Sequence, residues 1–200
     1  MTVTIAKGSI GNRSYTATWN AISYTISYDL DGGVVEGTNP TGYTVESDDI
    51  TLINPTKTGY TFAGWTGTGL DSATMAVTIA KGSTGDRSYT ATWTANNYKY
   101  TVTVAQNVET ATTITIVANG IEKTIAASGT VEFDIPYNTT FTPTVKFAAQ
   151  SGKSYNLVWG TSASKTASTA DSAISGAQAT MKTTDITATV TLTEIFTVTA

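Results

Sequence analysis

The chain has neither histidine nor cysteine among its 200 residues. The commonest general base, the commonest transition-metal ligand and the thiolate nucleophile are therefore all missing. Any chemistry must come from 15 carboxylates, 11 Lys and Arg, and the hydroxyls of Ser, Thr and Tyr. "DLDGG" (29–33) shares the opening of a calcium loop. Its spacing fails, because Gly32 follows Asp31 directly and no Glu stands at the twelfth position. Asp and Gly are the residues turns select, so a hairpin turn is the better reading. Gly67 and Gly69 lack the Lys-Ser/Thr ending and the following helix of a phosphate cradle, and read as a loop. A Lys and an Asn or Asp held beside a Glu can condense to an isopeptide. Lys99, Glu132 and Asp185 form a conceivable trio, but the usual Asn is absent from the last strand, and a solvated polar face is the default. No motif selects a carboxylate pair for glycoside hydrolysis. The 4 Trp and 10 Tyr could stack a sugar or peptide. Most fall on apolar strand faces and read as core; Trp65 and Trp159 are the remaining ligand-binding candidates. The expectation is no catalytic residue, no metal ligand and no cofactor.

Composition narrows the class. Hydrophobic residues make up 40% of the chain, ample for packed cores. Thr is about a fifth of the sequence, with many Val, Ile and Tyr, which suits a pleated, half-buried surface. Only 13% of residues are charged, against about 25% in an average protein. A Thr-rich, low-charge chain of this kind is more typical of exported β-proteins than of cytosolic enzymes. With a net charge of −4, a phosphate-tracking surface and a nucleic-acid partner are not expected. No stretch approaches the roughly 20 apolar residues of a membrane span.

The elements declare themselves through repetition. "VTIAKGSIGNRSYTATW" (3–19) returns as "VTIAKGSTGDRSYTATW" (77–93), changed only at Ile10/Thr84 and Asn12/Asp86. The correspondence runs on to Tyr24 and Tyr98, so one complete unit spans residues 22–95. Residues 1–21 are then the C-terminal remnant of a preceding unit, and the chain is expected to be part of a longer array. The lack of a signal peptide accordingly excludes nothing. Within the complete unit, Tyr24, Ile26, Tyr28 and Leu30 alternate with polar residues, as do Tyr89, Ala91 and Trp93. "GYTFAGW" (59–65), with Tyr60 and Phe62 on one face, and "AVTIA" (76–80) are two further strands. "DLDGG" and "NPTGY" read as turns, and 70–75 as a site for one helical turn.

"YTISYDLDGG", "NPTKTGYTFAGWTGTG" and "VTIAKGSTGDRSYTATW", in that order, resemble the Listeria–Bacteroides repeat family, which includes the B repeat of internalin-type surface proteins. The resemblance covers all of 22–95, and 3–19 matches the closing segment. Where the family commonly has Asn in the first turn, this chain has Asp29 and Asp31. The resemblance implies a compact β-grasp-like module in a secreted or cell-surface bacterial protein, with no catalytic residues to carry over.

From residue 97 the pattern changes. Strand-like runs fall at 98–105, 112–118, 121–126, 131–135, 140–147, 155–159 and 186–193, and Asn119-Gly120 is a strong hairpin signal. Seven short strands in about 100 residues suggest an immunoglobulin-like β-sandwich over 96–200. Residues 160–184, rich in Ser, Ala and Thr, read as a long loop. The fold class is thus mainly β: a β-grasp-like module followed by an Ig-like sandwich. The expected role is a non-catalytic spacer, display or protein-interaction segment. An adhesin or carbohydrate-binding module, using a sheet face or the 160–184 loop, is the alternative. Expected partners are other repeats of the parent chain, with a host or surface protein or a glycan as the alternative. Residues 1–19 carry an apolar face without its front half, so they are expected to dock on the neighbouring module or to pair in a truncation-induced dimer.

Overall fold

The computed structural model describes residues 2–160, 163–167 and 173–196, and every regular element among them is a β-strand. The first group comprises β1 (Ser23–Asp29), β2 (Gly42–Thr44), β3 (Ile50–Thr51), β4 (Tyr60–Gly67), β5 (Thr78–Ile79) and β6 (Arg87–Ala95). They build a four-stranded sheet in the order β2-β1-β6-β4, with β3 and β5 paired separately. β1 and β6, the first and last strands of the unit, lie side by side and run parallel, the arrangement of a β-grasp-like module. Parallel neighbours need a long crossover, and the chain between them supplies it.

The alternation along β1 places Ile26 in the core, with Tyr24, Tyr28 and Leu30 packed against it. β4 departs from simple alternation. A bulge between Phe62 and Gly64 shifts its register against β6. Strict alternation would send Phe62 and Trp65 to opposite faces; the extra residue turns both into one core, ring centroids 5.5 Å apart. Gly64, at φ +128°, lets the 73–74 backbone approach, since a Cβ there would lie 2.7 Å from the Thr74 amide nitrogen. That backbone bridges Trp65 from Thr74, so residues 70–75 form a bridge and no helical turn.

"DLDGG" is a turn. Asp31 and Gly32 take φ of 45° and 76°, the Gly33 N–H donates to the Leu30 carbonyl at 2.9 Å, and the Asp29 carboxylate accepts from the Asp31 N–H. A Cβ on Gly33 would lie 2.5 Å from the Trp93 ring, and the Trp93 indole N–H donates to the Leu30 carbonyl. The tryptophan closing the repeated phrase is thus seated on the Asp-Gly-Gly turn that opens the unit.

The second group comprises β7 (Asn97–Asn107), β8 (Ile114–Ala118), β9 (Ile121–Ile125), β10 (Gly129–Pro136), β11 (Thr140–Phe141), β12 (Thr144–Phe147), β13 (Ser154–Trp159), β14 (Ala163–Ala167), β15 (Ala173–Ser175), β16 (Ala179–Thr180) and β17 (Ile186–Ile195). Sheets in the orders β10-β7-β17-β13-β14 and β15-β12-β8-β9 enclose one core, and β11 pairs with β16. Val102, Phe133, Leu157 and Val190 reach it from one sheet, Ile116 and Phe147 from the other. Asn119 and Gly120, both at positive φ, turn β8 into β9. The 140–147 run splits at Thr142-Pro143, where Pro has no ladder donor. Residues 160–184 are not a long loop: β14 pairs with β13, β15 with β12 and β16 with β11. Backbone pairing, with Ile174 and Met181 as buried anchors, holds a stretch poor in large side chains.

Candidate functional site

Trp65 is fully buried, with its indole N–H donated to Asn54 Oδ1 at 3.0 Å. Trp159 is 4% exposed and belongs to the sandwich core. A Cβ on Gly176 would lie 2.6 Å from its indole, so the chain after β15 covers the ring that β13 presents. Neither tryptophan offers a ring face to a ligand, which removes both sequence candidates as stacking platforms.

The Lys99, Glu132 and Asp185 trio does converge, but as a surface ion network. Lys99 Nζ lies 2.9 Å from Asp134 and 3.5 Å from Glu132, while the Asp185 carboxylate accepts from the Lys99 backbone N–H at 2.8 Å. The side chains of Lys99, Glu132 and Asp134 are all well exposed. The hydrogen bond to Asp134 holds the Lys99 ammonium above its ordinary range, which opposes the neutral amine that condensation needs. The geometry is that of a solvated salt bridge.

A second charged cluster closes the far end of the sandwich. Lys153 Nζ lies 2.8 Å from Glu194 and 2.9 Å from Glu109, and the Glu109 N–H donates to the other Glu194 oxygen at 3.1 Å. Glu194 lies on the inward face at the end of β17 and is almost wholly buried. The hydrogen bond from Lys153 pulls its carboxyl below the usual range, and that bond raises Lys153 in turn. Burial pushes the Tyr28 and Tyr100 phenols up to about 12. Every displaced pKa among the described residues moves away from neutrality, the reverse of what general acid–base work needs.

The arrangement that sequence reasoning missed lies where the two cores meet. β6 ends at Ala95 and β7 begins at Asn97, leaving Asn96 as the whole connection. Its backbone N–H donates to the Gly59 carbonyl at 2.9 Å on one side, and its carbonyl accepts from the Tyr137 N–H at 2.8 Å on the other. Its side-chain oxygen accepts from the Thr61 hydroxyl at 2.6 Å. The Tyr137 ring lies on Gly59, where a Cβ would come within 2.4 Å of it. The same ring meets Tyr60 edge-on at 5.4 Å and Tyr98 at 6.4 Å. Gly59, at φ +80°, is the residue this approach requires. Lys57 lies over the Tyr60 and Trp93 rings at 4.6 and 5.6 Å and donates to the Asp31 carbonyl, tying the first turn to the same end of the sheet. No pattern in 97–200 points to Tyr137, and the only local sign is a Gly-Tyr pair that reads as a strand start.

The Listeria-Bacteroides repeat domain model matches residues 24–87. Residues 24–87 are a Listeria-Bacteroides repeat. The repeat so matched includes the parallel β1, the bulged β4 and the start of β6. No curated protein matches the chain. Among solved structures, the chain is similar to the major pilin from Streptococcus pyogenes at 10% identity and TM-score 0.29, over 90% of this chain and 100% of that chain. A point mutant of that pilin gives 10% identity and TM-score 0.29 over 88% and 99%. The major pilin T-13 of S. pyogenes serotype GAS131465 gives 9% and 0.24 over 77% and 71%.

Proposed function

We propose that the chain is a non-catalytic spacer and display segment of a bacterial cell-surface or secreted protein. In this reading residues 22–95 and 96–200 are successive bodies held in fixed orientation, and 1–21 belongs to a preceding repeat. The joint at Asn96 is the observation that carries the reading. A flexible tether lets its ends wander, whereas a one-residue connection with its N–H, its carbonyl and its side chain all bonded has little freedom to lose. The repeat family, the low charge and the Thr-rich strands agree with an exported protein. The same spacing recurs upstream: the offset of 74 residues places the copy of β6 at 13–21, leaving Ile22 as the counterpart of Asn96 before β1. An array built this way would extend through one-residue joints.

The test displays the chain on a bacterial surface with an epitope at its outer end, beside a Gly/Ser linker of equal residue number. The expected result is greater antibody access to the epitope on the folded chain than on the linker, with no adhesion by the chain itself. Adhesion of the bare chain to host cells or to a glycan surface would replace the spacer reading with the adhesin one.

A further inference from the structure

Residues 2–20 carry the sequence of a module core yet are exposed throughout. Val3, Ile5 and Tyr15 expose 60, 55 and 56% of their surface, and their duplicates Val77, Ile79 and Tyr89 only 3, 2 and 2%. Trp19 is 90% exposed, whereas Trp93 packs against the repeat core. Val3 and residues 15–19 line one open apolar groove. The segment docks on neither neighbouring core, so the expectation that it covers the adjacent module is corrected.

Connection geometry explains why it finds no seat within this chain. β6 lies parallel to β1, pairing Ile26 with Arg87 through Asp29 with Thr90. Its copy, 13–21, ends one residue before β1 begins, and a parallel neighbour needs a crossover of a dozen residues or more. The seat is also filled, because 77–93 occupies it. A second copy of this chain has the same seat filled in the same way.

What the segment would bind can be read from what its duplicate touches. Asp86 accepts from the Thr25 N–H at the edge of β1, and Asn12 has an amide oxygen that can accept likewise. The Arg87 guanidinium donates to the Tyr43 hydroxyl, which donates to the Gly85 carbonyl; Arg13 and Gly11 are the counterparts. Trp93 needs the Asp-Gly-Gly turn, because any side chain at Gly33 would occupy its place. We propose that residues 3–19 are a recognition limb whose partner is the first limb of another such repeat. That partner is a segment of the 22–75 type, with a β1-like edge, an Asp-Gly-Gly turn and a tyrosine for Arg13. The inference stands on the duplication and the repeat core, and survives if the joint at Asn96 proves flexible.

The test adds a synthetic peptide of residues 22–75 to the full 200-residue chain and follows amide exchange and Trp19 emission. The expected result is a 1:1 complex that protects the amides of 13–19 and shifts Trp19 emission to the blue. Ala17→Asp, at the counterpart of the buried Ala91, should weaken it by at least roughly tenfold; Ala17 lies outside both cores, so folding is unaffected. Three results would overturn the proposal: no protection of 13–19 by the peptide, equal binding by the Ala17→Asp variant, or concentration-dependent protection without peptide. The last would assign the limb to a second copy of this chain.

Discussion

Gly59→Ala probes the joint with a single methyl group. Two costs add. Gly59 sits at φ +80°, and a left-handed backbone costs an L-residue about 1–2 kcal/mol. The new Cβ would also lie 2.4 Å from two Tyr137 ring carbons and 2.6 Å from a third, so the ring must leave. Its two aromatic contacts, at 5.4 and 6.4 Å, go with it, and each such pair contributes about 0.5–1.5 kcal/mol beyond area burial. The expected loss is about 2–5 kcal/mol, of which only the first part is backbone strain. Gly69→Ala separates the parts: φ is +75°, and nothing lies within 4 Å of its Cβ. Calorimetry of the full chain is the assay. The Gly59 variant should unfold in two resolved transitions at lower temperature, with the sandwich transition unchanged; the Gly69 variant should lose only the strain. Equal losses in the two variants would refute the claim that Tyr137 on Gly59 couples the cores.

Further outcomes are expected. Trp65→Ala should destabilise the repeat by about 3–5 kcal/mol in chemical denaturation, because it empties a fully buried site and orphans Asn54, while half-buried Phe62→Ala should cost less. Glu194 has a carboxyl pKa depressed below 4.5 in the folded state, so its stabilisation is present above the unfolded value and lost as acid drops below the folded one. Lys153 is raised above 10.5, so its share is complete below that value and lost as pH rises through the folded pKa. Glu194→Gln should flatten the acid limb of the stability profile; an unchanged limb would mean the cluster contributes nothing there. The intact mass should equal the sequence mass, and a deficit of one ammonia or one water would reveal a cross-link that the exposed Lys99 network does not support.

Much of the fold was legible because both sheets follow the two-residue period: Tyr24 to Leu30 and Val131 to Ile135 alternate cleanly, and Asn119-Gly120 marks its own turn. The bulge at Phe62 was not, since one extra residue leaves no mark in composition while reversing the face of everything after it. Residues 160–184 hid three strands, because edge pairing relies on backbone groups that every residue carries. Trp65 and Trp159 looked available only because the residues that cover them, Asn54 and Gly176, lie outside their own strands. The joint was invisible for a similar reason. Gly59, Asn96 and Tyr137 are ordinary residues in three separate stretches and acquire meaning only where the two cores meet.

The fixed orientation of the repeat and the sandwich is the claim on which the spacer reading rests, and the lack of cysteine makes it directly measurable. Ser72→Cys and Ala127→Cys place one spin label on an exposed site of each body. Pulsed electron–electron distance measurement should give a single narrow peak that persists in Gly69→Ala and broadens in Gly59→Ala. A broad distribution in the otherwise unaltered chain would show a free hinge at Asn96 and contradict the account.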